Sequence, residues 1–156
     1  MRSLLTVAAV AVAASCATGS DGLASVRELV PTPDLSPRDV VDIQLRALGN
    51  NNVDNEGVEI AFRFASPANR LSTGPLERFA AMMRGGQYNA MLEHDRFVLA
   101  PTVVRGERAL QRVAVYTQRY VVVYDFYLRR QTAEPYIDCW MVEAVVTRGV
   151  VPNESE

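Results

Sequence analysis

The only histidine in the chain, His94, stands between Glu93 and Asp95. An unperturbed imidazole titrates near neutrality, so His94 with Tyr88 or Asp125 beside it is a candidate pair for abstracting a proton next to a carbonyl. The same setting suits an exposed charged turn, and both readings stand. Asn69, Arg70, Ser72 and Thr73 precede an expected helix N-terminus, where free backbone N–H groups and a guanidinium can hold a carboxylate or phosphate. Arg78 and Tyr88 complete this candidate ligand set. The alternative is that Arg70 or Arg78 pairs with Glu59, Glu77 or Asp95 and pins the loop. Cys139 beside Trp140 invites a redox reading, but strand alternation places it on the apolar side, where a buried small hydrophobe fits better. A single histidine and scattered carboxylates, without EF-hand or zinc spacing, argue against a metal site. No cofactor motif is present.

The chemistry left to the chain is narrowed by its composition. Its 156 residues, 49% of them hydrophobic, are enough for one domain with one core. Every basic side chain is arginine, which excludes a lysine Schiff base and a Walker-type phosphate clamp. A formal net charge of -2 gives no electrostatic reason to expect nucleic acid.

Residues 1–19 read as a targeting segment: Arg2, the apolar stretch from Leu4 to Ala14, then Ser15, Cys16 and Ala17. The apolar stretch is too short to span a bilayer, so the mature form is expected to carry no membrane span. Export to the periplasm or outside the cell follows, or plastid import if the segment is half of a bipartite signal. Cys16 also weakly matches a lipoprotein cleavage box.

Residues 20–35, broken by Pro31 and Pro33, read as a linker. The domain is expected over 36–148, with a flexible tail at 149–156. Ser36, Pro37 and Asp39 form a capping-box start for a helix whose stripe is Val40, Val41, Leu45 and Leu48. Val58 to Phe64 fits both a strand and a helix, and helix is the choice. Ser72 or Thr73 caps a further helix carrying Leu76, Phe79, Ala80 and Met83. From Arg96 the period changes to two, with runs at 96–104, 108–118, 120–130 and 136–146, a meander of about four strands. Pro101 marks an edge strand.

A short turn at Thr132 and Ala133 would set Tyr127 against Asp138 and Asp125 against Trp140. The core side then takes Tyr124, Phe126, Ile137, Cys139 and Met141. The outer side presents Tyr127, Arg129, Tyr136, Asp138 and Trp140, a surface for a partner or a homodimer. Helices first and an antiparallel sheet afterwards make an α+β domain.

The strings ASPANRLSTGPLERFAAMMR, PTPDLSPRDVVDIQLRAL and PYIDCWM resemble a domain-of-unknown-function family of bacteria and plastid-bearing eukaryotes, over roughly Pro31 to Val146. The matching residues include Asn69, Arg70, Thr73, Gly74, Pro75, Arg78, Phe79 and the Cys139, Trp140, Met141 run. The plan is also similar to the cone-shaped NTF2-like fold, which implies N-terminal helices covering a bent sheet around a pocket. That resemblance assigns no reaction, because the fold hosts isomerases, dehydratases, carriers and dimerisation modules. A non-catalytic module for a small ligand, anionic or carbonyl-bearing, or for a protein partner is the leading expectation. A cofactor-independent pocket enzyme is the alternative.

Overall fold

A computed structural model of the chain describes residues 21–154. The targeting segment at 1–19 lies outside the described residues. Ser36 and Pro37 start the main helix as the capping box requires: Ser36 Oγ accepts from the Asp39 backbone N–H at 3.2 Å, and Asp39 Oδ2 accepts from the Ser36 N–H at 2.8 Å. After the short helix α1 (Asp21–Ala24), this helix is α2 (Pro37–Gly49). Its Val40, Val41, Leu45 and Leu48 stripe is buried. The linker expectation for 20–35 is corrected in part, because that span holds α1 and sinks Leu23 and Val26 into the core.

The ambiguous segment is helical. α3 (Glu56–Arg63) buries Val58, Ile60 and Ala61, and it packs on α2 through Gly57. A methyl at Gly57 would lie 2.0 Å from the Ala47 carbonyl oxygen, so this approach needs a residue without Cβ. A second Ser-Pro start follows: Ser66 caps α4 (Pro67–Thr73), its Oγ accepting from the Asn69 N–H at 3.1 Å. The expected capping role of Ser72 and Thr73 is therefore corrected. Both lie in the last turn of α4, where their hydroxyls donate back to Ala68 O and Asn69 O. Gly74, at φ 85, breaks the helix, and α5 (Leu76–Met83) begins after Pro75. The single turn α6 (Ala90–Glu93) leads into the sheet.

The sheet has five antiparallel strands where about four were expected: β1 (Arg96–Leu99), β2 (Val103–Arg105), β3 (Arg108–Tyr116), β4 (Tyr120–Arg130) and β5 (Trp140–Pro152). β1 and β2 both pair with β3. They are one edge interrupted around Pro101, which lacks the N–H a continuous ladder needs. The remaining order is β3-β4-β5, so β5 is the opposite edge. Irregularities at Val123/Tyr124 and Tyr127/Leu128 bend the β4–β5 pair. The inward residues Val113, Val115, Val122, Tyr124, Phe126 and Leu128 join Val40, Leu45, Ile60, Phe64 and Phe79 from the helices in one core. The protein is thus an α+β domain whose helices cover one face of an antiparallel sheet.

The last hairpin departs furthest from expectation. Its strands are joined by residues 131–139, not by a turn at Thr132 and Ala133, with a cis bond before Pro135 and Asp138 at φ 63. Asp125 faces Val146 and Tyr127 faces Ala144, so neither opposes Trp140 or Asp138. Trp140 is buried in the core, Ile137 is exposed, and Cys139 is buried in the connection itself. β5 also runs through Pro152, where a tail was expected from residue 149.

Candidate functional site

The ASPANR segment has a structural task. Phe64 O accepts from the Val142 N–H at 3.0 Å, while Val142 O accepts from the Ser66 N–H at 2.9 Å and from Asn69 Nδ2 at 3.0 Å. Ala65 forms an isolated parallel bridge with Val142. Two backbone bonds and one side-chain bond therefore cover the open edge of β5 at one residue, which fixes α4 beside the strand.

Beside that docking lies a partly open cavity of about 360 Å³ between helices and sheet. Such a volume lies within the usual range for small-molecule sites. Leu48, Ala61, Met83, Met91, Phe126 and Val142 make its buried apolar wall. Ser72 and Ala144 lie at its more exposed rim, with Asn69, Thr73, Glu143 and Tyr88 half-buried around it. Gln44, 5% exposed, is a polar group in the wall and donates Nε2 to Ala61 O at 2.8 Å.

Of the expected ligand set, Asn69, Thr73 and Tyr88 meet at this cavity, while Arg70 and Arg78 do not line it. Arg70 points to the other side of α4. It donates Nη2 to the Tyr136 hydroxyl at 3.1 Å, with its guanidinium carbon 5.4 Å from the centre of that ring and 6.0 Å from that of Phe62. Arg78 is exposed and folds its side chain along Gly74. The loop expected to gather these groups does not form as one set, because Asn69 and Thr73, one turn apart on α4, face the cavity while Arg70 points to the other side of the helix. None of the anticipated pairs of Arg70 or Arg78 with Glu59, Glu77 or Asp95 forms among the described residues.

The catalytic candidates are separated from the cavity and from each other. His94 lines a shallow groove with Arg38, Asp42 and Arg46, its ring against Gly49 and in edge contact with Phe97 at 5.5 Å. Burial lowers its pKa, opposed by a 2.9 Å hydrogen bond with Met91 O and by the charge of Asp95. Asp125 is 1% exposed on the opposite sheet face. Arg112 grips it with two hydrogen bonds of 2.7 and 2.9 Å, and Arg148 Nε adds a third at 2.7 Å. The Arg112 hydrogen bonds hold the carboxyl below its ordinary range, with help from Arg148 and against the effect of burial. A carboxylate held this way is a poor proton acceptor. Cys139 Sγ contacts Ile137 O at 3.7 Å, and burial followed by the charge of Asp138 raises its pKa.

The five expected interface residues do not form one face. Tyr127 and Arg129 do lie on the outer sheet face. Tyr136 and Asp138 sit in the 131–139 connection, and Trp140 is buried with Arg130 over its ring at 5.0 Å. By register the outer face instead carries Val98, Val103, Val146 and Val151 around the Arg112, Asp125, Arg148 cluster.

Gln44 and Glu143 were not foreseen as lining residues. Each had a signal: Gln44 is a polar side chain four residues before Leu48 on a buried stripe, and Glu143 is an acid inside the apolar run from Cys139 to Val146. No group of three or more acidic, histidine or cysteine side chains suited to a metal occurs among the described residues. No helix among them is long and apolar enough to cross a membrane.

An α+β domain with a cavity between its helices and its sheet is the class that fold and site define. The chain belongs to the family described as Domain of unknown function (DUF4864), whose model matches residues 32–152. No curated protein and no solved structure gives a significant match.

Proposed function

We propose that this domain is a non-catalytic binding module that holds a small, largely apolar molecule between its helices and its sheet. The observation that carries the reading is the 360 Å³ cavity, walled by buried Leu, Met and Phe side chains and open at a polar rim. Three methionines, Met82, Met83 and Met91, line it, and their unbranched, polarisable side chains adapt to varied apolar shapes. The enzyme alternative loses its expected base, since His94 and Asp125 are both elsewhere. Helices preceding a sheet, with a cavity between the layers, also support the likeness to the NTF2-like cone. The segment 1–19 is read as a leader that takes the domain out of the cytosol or into a plastid, which a fluorescent fusion to residues 1–35 tests by location.

The binding test uses the neutral, environment-sensitive dye N-phenyl-1-naphthylamine. The native protein should enhance and blue-shift its emission saturably. Thr73→Trp, which fills the rim from a half-buried position, should weaken dye affinity about tenfold or more. Equal binding by both proteins would place the dye elsewhere and contradict the proposal.

A further inference from the structure

Most of the donors around the cavity are already engaged. Gln44 Nε2 donates to Ala61 O, Asn69 Nδ2 to Val142 O, Ser72 Oγ to Ala68 O, Thr73 Oγ1 to Asn69 O and Tyr88 Oη to Val145 O. The Ser72 and Thr73 hydroxyl protons are thereby used, that of Tyr88 makes a long 3.4 Å contact, and each amide has committed one of its two N–H groups. Their oxygens remain as acceptors. Gln44 Oε1 accepts no hydrogen bond among the described residues and is not sealed from the cavity, and the half-buried Asn69 likewise leaves its Oδ1 without a donor. Glu143 adds a carboxylate whose hydrogen bond within the protein is a long one, 3.4 Å from Gln131 Nε2. No arginine or histidine is among the lining residues.

This lining is rich in acceptors and carries negative charge. A carboxylate or phosphate entering it would meet lone pairs and Glu143, with no guanidinium to offset its desolvation. A ligand that presents N–H or O–H groups would instead donate to the open Gln44 oxygen in the wall. The geometry points to an amine-bearing apolar molecule as the ligand class, with its ammonium at the rim against Glu143 and its hydrocarbon part on the Met and Phe wall. The anionic ligand expected from the Asn69 to Arg78 loop is the opposite choice. This inference rests on the cavity reading, and it separates from that reading because a wrong charge preference leaves the dye result intact.

The experiment displaces N-phenyl-1-naphthylamine from the intact protein at pH 7 with hexylamine, hexanol or hexanoate, which share one chain length and differ in the head group. Hexylamine should displace the dye at about tenfold lower concentration than hexanoate, with hexanol between them. In Glu143→Gln, the ratio of amine to carboxylate potency, measured within that protein, should fall to about threefold or less. Hexanoate equal to or better than hexylamine on the native protein would overturn the inference and leave the cavity reading standing. A native preference for the amine that Glu143→Gln does not reduce would overturn the assignment to Glu143. Failure of the dye to bind at all would overturn both.

Discussion

Asp125 illustrates how a residue type can suggest one task and its neighbours impose another. Alternation along β4 correctly puts it on the outer face, but its partners, Arg112 one strand away and Arg148 beyond the β5 irregularity, depend on registers that a single sequence does not specify. The carboxylate is buried while the Arg112 and Arg148 side chains remain 54% and 46% exposed, so the ion pairs are partly screened. Asp125→Asn should therefore cost about 2 kcal/mol, below the usual value for breaking a fully buried pair. The pH dependence has a definite sign. The folded pKa is depressed, so the stabilisation is fully present above the ordinary value of 3.8 and is lost as pH falls below it towards the folded value. Denaturant melts of both proteins between pH 7 and pH 3 check this, and their stability difference should shrink in the acid range. A constant difference would show that Asp125 acts through packing alone.

At the scale of elements, periodicity was informative and connections were not. The stripe of α2, the helical choice for Val58 to Phe64 and the core alternation of β4 all follow from local patterns. The start of α4 was missed: Ser66-Pro67 repeats the Ser36-Pro37 signal, but the cap was assigned to Ser72 or Thr73. The last hairpin was not legible. Residues 131–139 contain turn formers, but nothing local says that nine residues leave the ladder, and each residue of slip moves a side chain to the other face. Trp140 and Ile137 exchanged core and surface for that reason. The α2–α3 contact gives a sharp test at this scale. Gly57→Ala drives a methyl against the Ala47 backbone, which cannot move aside as a flexible side chain could, and should destabilise by about 3 kcal/mol in a denaturant melt. A neutral result would mean that the two helices are not held this closely.

Across the whole molecule, the helices supply a lid and the sheet supplies two different surfaces. The cavity was only partly visible in the sequence: Asn69, Thr73 and Tyr88 were singled out together with Arg70 and Arg78, which do not line it, while Gln44 and Glu143 needed the third dimension to meet them. The outer face is apolar at Val98, Val103, Val146 and Val151 and basic at Arg96, Arg112, Arg129 and Arg148. Two copies meeting through this face would set like charges together, so self-association there should be suppressed at low ionic strength and rise as salt screens the arginines. Sedimentation across a salt series reads this directly, and a dimer that dissociates as salt is added would contradict it. The central claim is the cavity itself. With carbon-13 methyl labels on methionine, titration with N-phenyl-1-naphthylamine should shift the Met82, Met83 and Met91 signals, which line the cavity, and leave that of Met141, buried elsewhere, in place. Unmoved signals from the three lining methionines while the dye binds would contradict the account.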